Sequence, residues 1–198
     1  MLVNMAERPY HHGDLRAVLL SGAERTLADR GPAAISLREL AREAGVSHAA
    51  PGRHFKDKGA LLDALALSGF QRLKSALQEA TSEGTGARTR ILALARAYVD
   101  FTLANGALLD LMYSRKHDGD VPDLLITAIE ELLDIVLAPI LQGQHDGEIV
   151  QGDPNSIAHT VVSTLHGFAS LTADHSKEKF DGALPEVVHH LLHGLAPR

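Results

Sequence analysis

Ser36, Arg38, Ser47, His48, Arg53, His54 and Lys58 crowd into one short stretch of the chain. Hydroxyls, imidazoles, a guanidinium fork and an ammonium are the groups that hold phosphate oxygens and read the edges of bases. Ala49, Ala50 and Gly52 stand among them. A second set, His189, His190 and His193, places two imidazoles at i, i+4 spacing, which some zinc sites use. No cysteine exists to complete such a site, and only Glu186 stands one turn before it, so a structural or interface role is the expectation. His159 and His166, seven residues apart, read the same way, as an interface or a pocket edge. The serines lack a nucleophile-elbow glycine pattern, the glycines form no phosphate loop, and no acid pair stands out, so neither an enzyme nor a cofactor is expected.

The elements that must position the first set are written in residues 35–62. Ser36 and Glu39 have capping-box spacing, with Ile35 and Leu40 at the positions of a hydrophobic staple. Leu37, Leu40, Ala41 and Ala44 then recur at helical spacing. Gly45 supplies a left-handed residue at the helix end, Val46 plugs the corner, and Ser47 caps a second short helix running to about His54. Two short helices joined by a glycine corner cannot bury a core alone; they lean on a third and project one face outward. That is the grammar of a DNA reader. The supporting helix is the stripe Leu15, Val18, Leu19, Gly22, Ala23 and Leu27, closed by Gly31-Pro32.

Charge agrees with this once it is divided along the chain. The whole carries −6, but residues 1–60 hold nine Lys or Arg against seven Asp or Glu, a surplus of +2, and the remainder is −8. An acidic remainder keeps DNA to the reader. The 198 residues, 45% apolar and 22% charged, suffice for one domain or two small ones. With no cysteine, no apolar leader at the N-terminus and no run long enough for a membrane span, a soluble cytoplasmic protein is expected.

Beyond residue 57 the apolar residues keep helical spacing throughout. Asp57 can cap a helix of about 58–80 carrying Leu61, Leu62, Leu65, Leu73 and Leu77, which ends in the loop Ser82 to Gly86. Further helices are predicted at about 87–104, 106–113, 121–142, with Pro139 disturbing its last turn, 153–174 and 184–195. No strand alternation is visible. The predicted fold is all-α: a reader domain over 1–57, a linking helix over about 58–80 and a second helical domain over 81–198.

The run Ile35 to Ser47, then Arg53-His54-Phe55-Lys56-Asp57-Lys58 and Leu61-Leu62, resembles the tetracycline-repressor (TetR) family of transcriptional regulators; Tyr10 to Arg16 is similar to a frequent entry into that family's first helix. The resemblance covers about the first 75 residues and fades beyond residue 80. It implies that Ser36 to Glu43 backs the reader and that Ser47 to His54 is the recognition helix. Arg38, His48, Ala49 and Ala50 then face bases or the groove edge; Ser36, Arg53, His54 and Lys58 serve the backbone. Two departures stand out. Gly52 replaces the family's usual aromatic, and Gly59 a frequent glutamate. Pro51 and Gly52 together make the reader soft, because one lacks an N–H and the other costs about 1 kcal/mol in a helix.

The resemblance further implies a homodimer on a palindromic DNA operator and a small-molecule effector that alters DNA binding. A ligand-released repressor is the leading expectation; an activator, a corepressor-dependent regulator, or a partner-binding protein with a degenerate helix-turn-helix are the alternatives. Ile157, Val161, Thr164, Leu165, Phe168, Val188, Leu191, Leu192 and Leu195 are expected at the dimer interface, some of them inside one subunit. Leu65, Phe70, Leu94, Tyr98, Phe101, Leu108, Met112, Tyr113, Ile129 and His166 are expected at the effector pocket, which such residues make hydrophobic.

Overall fold

The structure, a computed structural model, describes residues 15–82, 84–116, 121–172 and 177–194. Residues 10–14 of the predicted entry segment, and Leu195, lie outside them. Among the described residues there are eight α-helices and no strand: α1 (Leu15–Arg30), α2 (Leu37–Glu43), α3 (Lys58–Thr81), α4 (Ala87–Ala104), α5 (Gly106–Lys116), α6 (Asp123–His145), α7 (Pro154–Thr172) and α8 (Lys177–His193), with 3-10 turns at Pro32–Ala34 and Ala50–Arg53. The chain divides into two compact units between Leu65 and Ala66, inside α3.

In the N-terminal unit α1 packs on α2 and on both 3-10 turns. Leu19, Ala23, Leu27, Ile35, Leu40, Ala41, Phe55 and Leu61 form its core. Ile35 and Leu40, the two ends of the expected staple, are both buried there. Gly22 admits the close approach of α2, since a Cβ would stand 2.9 Å from a Leu40 methyl.

In the C-terminal unit α4 is central, against α5, α6, α7 and α8. Its bounds match the periodic segment read from the sequence. Glu148 explains its start: the carboxylate accepts the Ala87 N–H at 2.6 Å, beside Gly86 at φ 84°. That partner is 61 residues away, and no local cap signal announces it. At Asn105 the chain turns sharply, so α4 and α5 meet at 104°. Among the described residues no single helix is long and apolar enough to cross a membrane.

Three helix ends differ from expectation, the first being that of α5, which runs to Lys116 rather than 113. Pro139 does not end α6, which runs on to His145; its ring is buried. An interior proline costs about 3 kcal/mol, and the packing of α6 on both α4 and α7 outweighs it. The helix closes where Gly143 fits against Ile149 and Ala87, at a separation no Cβ would tolerate. Likewise α8 starts at Lys177 rather than 184, and Pro185 stands inside it. By contrast α7 begins as read. Asp153 caps it, its carboxylate accepting the N–H groups of Asn155 and Ser156 and the Ser156 hydroxyl, with Pro154 in the first helical position. The Ser156 hydroxyl foremost holds that carboxyl below its ordinary range.

Candidate DNA-reading surface and effector cavity

The corner after α2 is closed by backbone alone. The Val46 N–H reaches the Ala41 carbonyl at 3.0 Å and the Gly45 N–H reaches that of Arg42 at 3.2 Å, with Gly45 at φ 69°. This is a complete Schellman motif. Val46 itself is only half-buried. At the other end of α2, Ser36 occupies the cap position in extended conformation, and its carbonyl receives the Leu40 N–H. The expected side-chain half of the capping box is not made, so the Ser36 hydroxyl caps no helical N–H.

The expected recognition helix is corrected to something shorter. From Ser47 to His54 the chain forms one 3-10 turn, Ala50–Arg53, capped by Ala49 rather than Ser47. An α-helix starting after Ser47 would draw its first i to i−4 bond from residue 51, and Pro51 has no N–H to give. The Ser47 carbonyl instead takes the Ala50 N–H at 3.0 Å, while the Pro51 carbonyl receives both His54 and Phe55 at 2.9 Å. Pro51 is retained as packing: its ring is fully buried where the turn meets α1 and α2. Phe55 anchors the far side, 3% exposed with the Arg16 guanidinium 5.5 Å over its ring. A partner for Phe55 on α1 was not legible in the sequence, because residues 39 apart share no periodicity.

This arrangement leaves Arg38, Ser47, His48, Ala49, Gly52, Arg53 and His54 exposed, and Ser36, Ala50 and Lys58 half-buried. Lys58 spends one N–H on the Ala33 carbonyl at 2.9 Å, which ties the start of α3 to the first 3-10 turn. Asp57 caps α3 as expected, accepting the Ala60 N–H at 2.8 Å. Nothing lies within 4 Å of where a Cβ on Gly52 would stand, and its φ is not left-handed. A side chain therefore fits without strain. Gly52→Tyr is expected to bind operator DNA about fivefold more tightly, the ~1 kcal/mol by which glycine weakens a helical turn. Fluorescence anisotropy on a labelled duplex checks this, and unchanged affinity would remove the argument that Gly52 softens the reader.

In the C-terminal unit a cavity of about 280 Å³ is bounded by α3, α5, α6 and α7. Of the ten residues expected at a pocket, Phe70, Tyr113, Ile129 and His166 line it. Leu94 and Tyr98 line a smaller void of about 30 Å³, room for about one water. Val136 and Val162 belong to both walls. Leu65, Phe101, Leu108 and Met112 are core instead. Leu108 and Met112 close onto Gly69, where a Cβ would stand 2.5 Å from the Met112 sulfur. The sequence reading missed Lys116, Leu132, Leu133, Val136, Ala158, His159, Val162 and Ser163. Ala158, Val162 and His166 do recur at i, i+4 and i+8, but that spacing names a face without saying what it faces.

A polar triad stands at the wall between the two spaces. The Tyr98 hydroxyl lies 2.8 Å from Nδ1 of His166 and 3.4 Å from the Tyr113 hydroxyl. The Tyr113 and His166 rings stack at 4.3 Å. Burial, with Tyr113 beside it, pushes the Tyr98 phenol well above its ordinary range, so it stays protonated. At the end of α8 the rings of His189 and His193 stack at 4.3 Å, and Nδ1 of His193 lies 2.8 Å from the His189 carbonyl. No three His, Asp or Glu side chains among the described residues are grouped as metal ligands. Of the residues expected at a dimer interface, Val161, Leu165 and Val188 are buried within the subunit, while Ile157, Thr164, Phe168, Leu191 and Leu192 are half-buried.

Residues 91–195, more than half of the chain, match the family model described as the tetracyclin repressor-like C-terminal domain. The chain belongs to the TetR family. Residues 19–65, which hold the reader, match the model of bacterial regulatory proteins of the tetR family, and this TetR-family transcription regulator carries the family's DNA-binding helix-turn-helix. A protein of unknown function from Rhodococcus sp. RHA1 is 47% identical over 96% of this chain and 100% of its own, with a TM-score of 0.83. A putative tetR family regulator from Shewanella sp. PV-4 shares the fold at 21% identity, covering 93% and 99% of the two chains with a TM-score of 0.74. So does the transcriptional regulator FadR from Bacillus subtilis, solved in complex with stearoyl-CoA, at 16% identity, 91% and 99% coverage and a TM-score of 0.77. No curated protein matches the sequence.

Proposed function

We propose that this TetR-family regulator is a cytoplasmic repressor, acting as a homodimer on a palindromic operator and released from it by a small hydrophobic effector. The observation that carries the reading is the cavity of about 280 Å³, walled mainly by apolar side chains, in a chain that also presents exposed DNA-reading groups. One reading turn covers few base pairs, so discrimination over a genome needs two copies on matched half-sites. Along α7, Ile157, Thr164, Phe168 and Leu171 fall on one face, and Leu171 is 83% exposed; with Leu191 and Leu192 of α8 they are the surface offered to a second copy. FadR, solved with stearoyl-CoA, supports an effector with an apolar part.

Release requires the effector to prefer a conformation that does not bind DNA, and its differential affinity limits the shift. The lever is α3, a single helix from Lys58 to Thr81 that runs through the boundary between the two units. The test uses the duplex upstream of the protein's own gene. Binding is expected to fall steeply with salt, to resist random duplex, and to weaken when an effector fills the cavity. Ligand that tightens binding would replace the repressor by a corepressor-dependent regulator. Binding without sequence preference would favour a degenerate reader, the reading that the four-residue turn at Ala50–Arg53 keeps in play.

A further inference from the structure

The polar part of the cavity wall is one-sided. Among the described lining residues five carry polar groups, Tyr113, Lys116, His159, Ser163 and His166, and none of the twelve is an acid. This is unexpected in the acidic part of the chain, which holds ten Lys or Arg against eighteen Asp or Glu beyond residue 60. The triad sharpens the preference. If Nδ1 of His166 donated to Tyr98, the phenol hydrogen would be left only the 3.4 Å contact with Tyr113, too long for a good O–H···O bond. Donation from Tyr98 to Nδ1 at 2.8 Å satisfies both groups, and it leaves Nε2–H as the imidazole's remaining polar group. Among the described residues the wall therefore offers an N–H donor, hydroxyls and an ammonium, and no carboxylate to hold a cation.

Size bounds the rest. A cavity of roughly 150 Å³ holds one benzene, so 280 Å³ takes about 11 non-hydrogen atoms at the same density. A long acyl chain cannot be enclosed in it. Phe70, Ile129, Leu132 and Val136 supply the apolar wall.

We propose that the effector is a compact amphiphilic anion, a carboxylate or comparable acidic group on an apolar body of about a dozen non-hydrogen atoms, held with its acidic end toward Lys116 and His166. This rests on the reading of the cavity as the effector site and names the chemistry it selects. Cationic and neutral molecules of the same shape are discriminated against, because a cation is repelled by the Lys116 ammonium with no carboxylate among the described lining residues to offset it, and an alcohol forgoes the attraction of that ammonium.

Titration calorimetry on the full-length protein with 4-phenylbutyrate, 4-phenylbutanol and 4-phenylbutylamine tests the proposal, since the three share one body and differ at one end. The carboxylate is expected to bind at least about tenfold more tightly than the amine, with the alcohol between. Lys116 is exposed, so Lys116→Met keeps the fold, and in that variant the carboxylate's advantage over the alcohol falls to about threefold or less. Equal or tighter binding of the amine, no binding of the carboxylate, or an advantage untouched by Lys116→Met would overturn it. Carboxylate binding that leaves operator affinity unchanged would keep the anion preference and remove the release mechanism. Operator release by a cationic compound would do the reverse.

Discussion

Arg38→Ala is expected to weaken operator binding about 5- to 150-fold, the ~1–3 kcal/mol carried by a good contact to a base edge. Arg38 is exposed on α2, whose packing face is Leu40 and Ala41, so removing the guanidinium leaves the core untouched. Alanine is also the better helix former. The circular dichroism spectrum should therefore be unchanged while affinity falls. Arg53→Ala makes the useful contrast. If Arg53 serves the phosphates, its loss weakens all duplexes alike and lowers the salt slope by about one, whereas loss of Arg38 relaxes preference at particular base pairs. Anisotropy titrations on the operator and on single-base variants separate these outcomes. Full affinity in Arg38→Ala would move sequence reading to the Ala50–Arg53 turn alone.

The largest effect on stability is expected from Leu19→Ala. Leu19 is completely buried in α1, and a Leu→Ala cavity in a core costs about 2–5 kcal/mol. The N-terminal unit, Met1–Leu65, is small, and cores of that size supply roughly 3–5 kcal/mol in all. The substitution should therefore unfold much of the reader while α4, α6 and α7 keep a core of their own. Hydrogen exchange followed by mass spectrometry is the measurement. The amides of α1 and α2 are expected to lose protection, those of α4 and α7 to keep it, and operator binding to vanish. Loss of protection in both units together would show that they fold as one.

How much of this was legible in the sequence depended on the range of the interaction concerned. Gly45 ends α2 through bonds to Ala41 and Arg42, Asp57 caps α3 at Ala60, and Asp153 caps α7 at Asn155 and Ser156. Each partner lies within a turn or so, so the sequence states both halves of the interaction. The two local readings that failed did so for different reasons. Pro139 predicts a disturbed last turn, yet packing holds it buried inside α6; at Pro51 the helix from Ser47 to His54 gives way to a 3-10 turn because the missing N–H forbids the first α-helical bond.

The cavity was legible only in outline. Apolar spacing on α5 and α6 identified Leu108, Met112 and Ile129 alike, yet Gly69 draws the first two into the core and leaves Ile129 on the wall. On α7 the residues at Val161 and Leu165 turn into the subunit, while Val162 and His166 turn to the cavity.

By itself, then, the sequence determined the all-helical class, the family and the framework of the reader, because periodicity, caps and a glycine corner are local and repeat whatever surrounds them. Tertiary structure alone decided that Phe55 and Arg16 anchor the reading turn, that Tyr98 holds His166 from 68 residues away, and that the described residues of the cavity wall include an ammonium and no acid. Those features are meetings between helices distant in the chain. A helical period specifies that a face is apolar, and only the neighbour packed against it decides whether that face becomes core, cavity or contact.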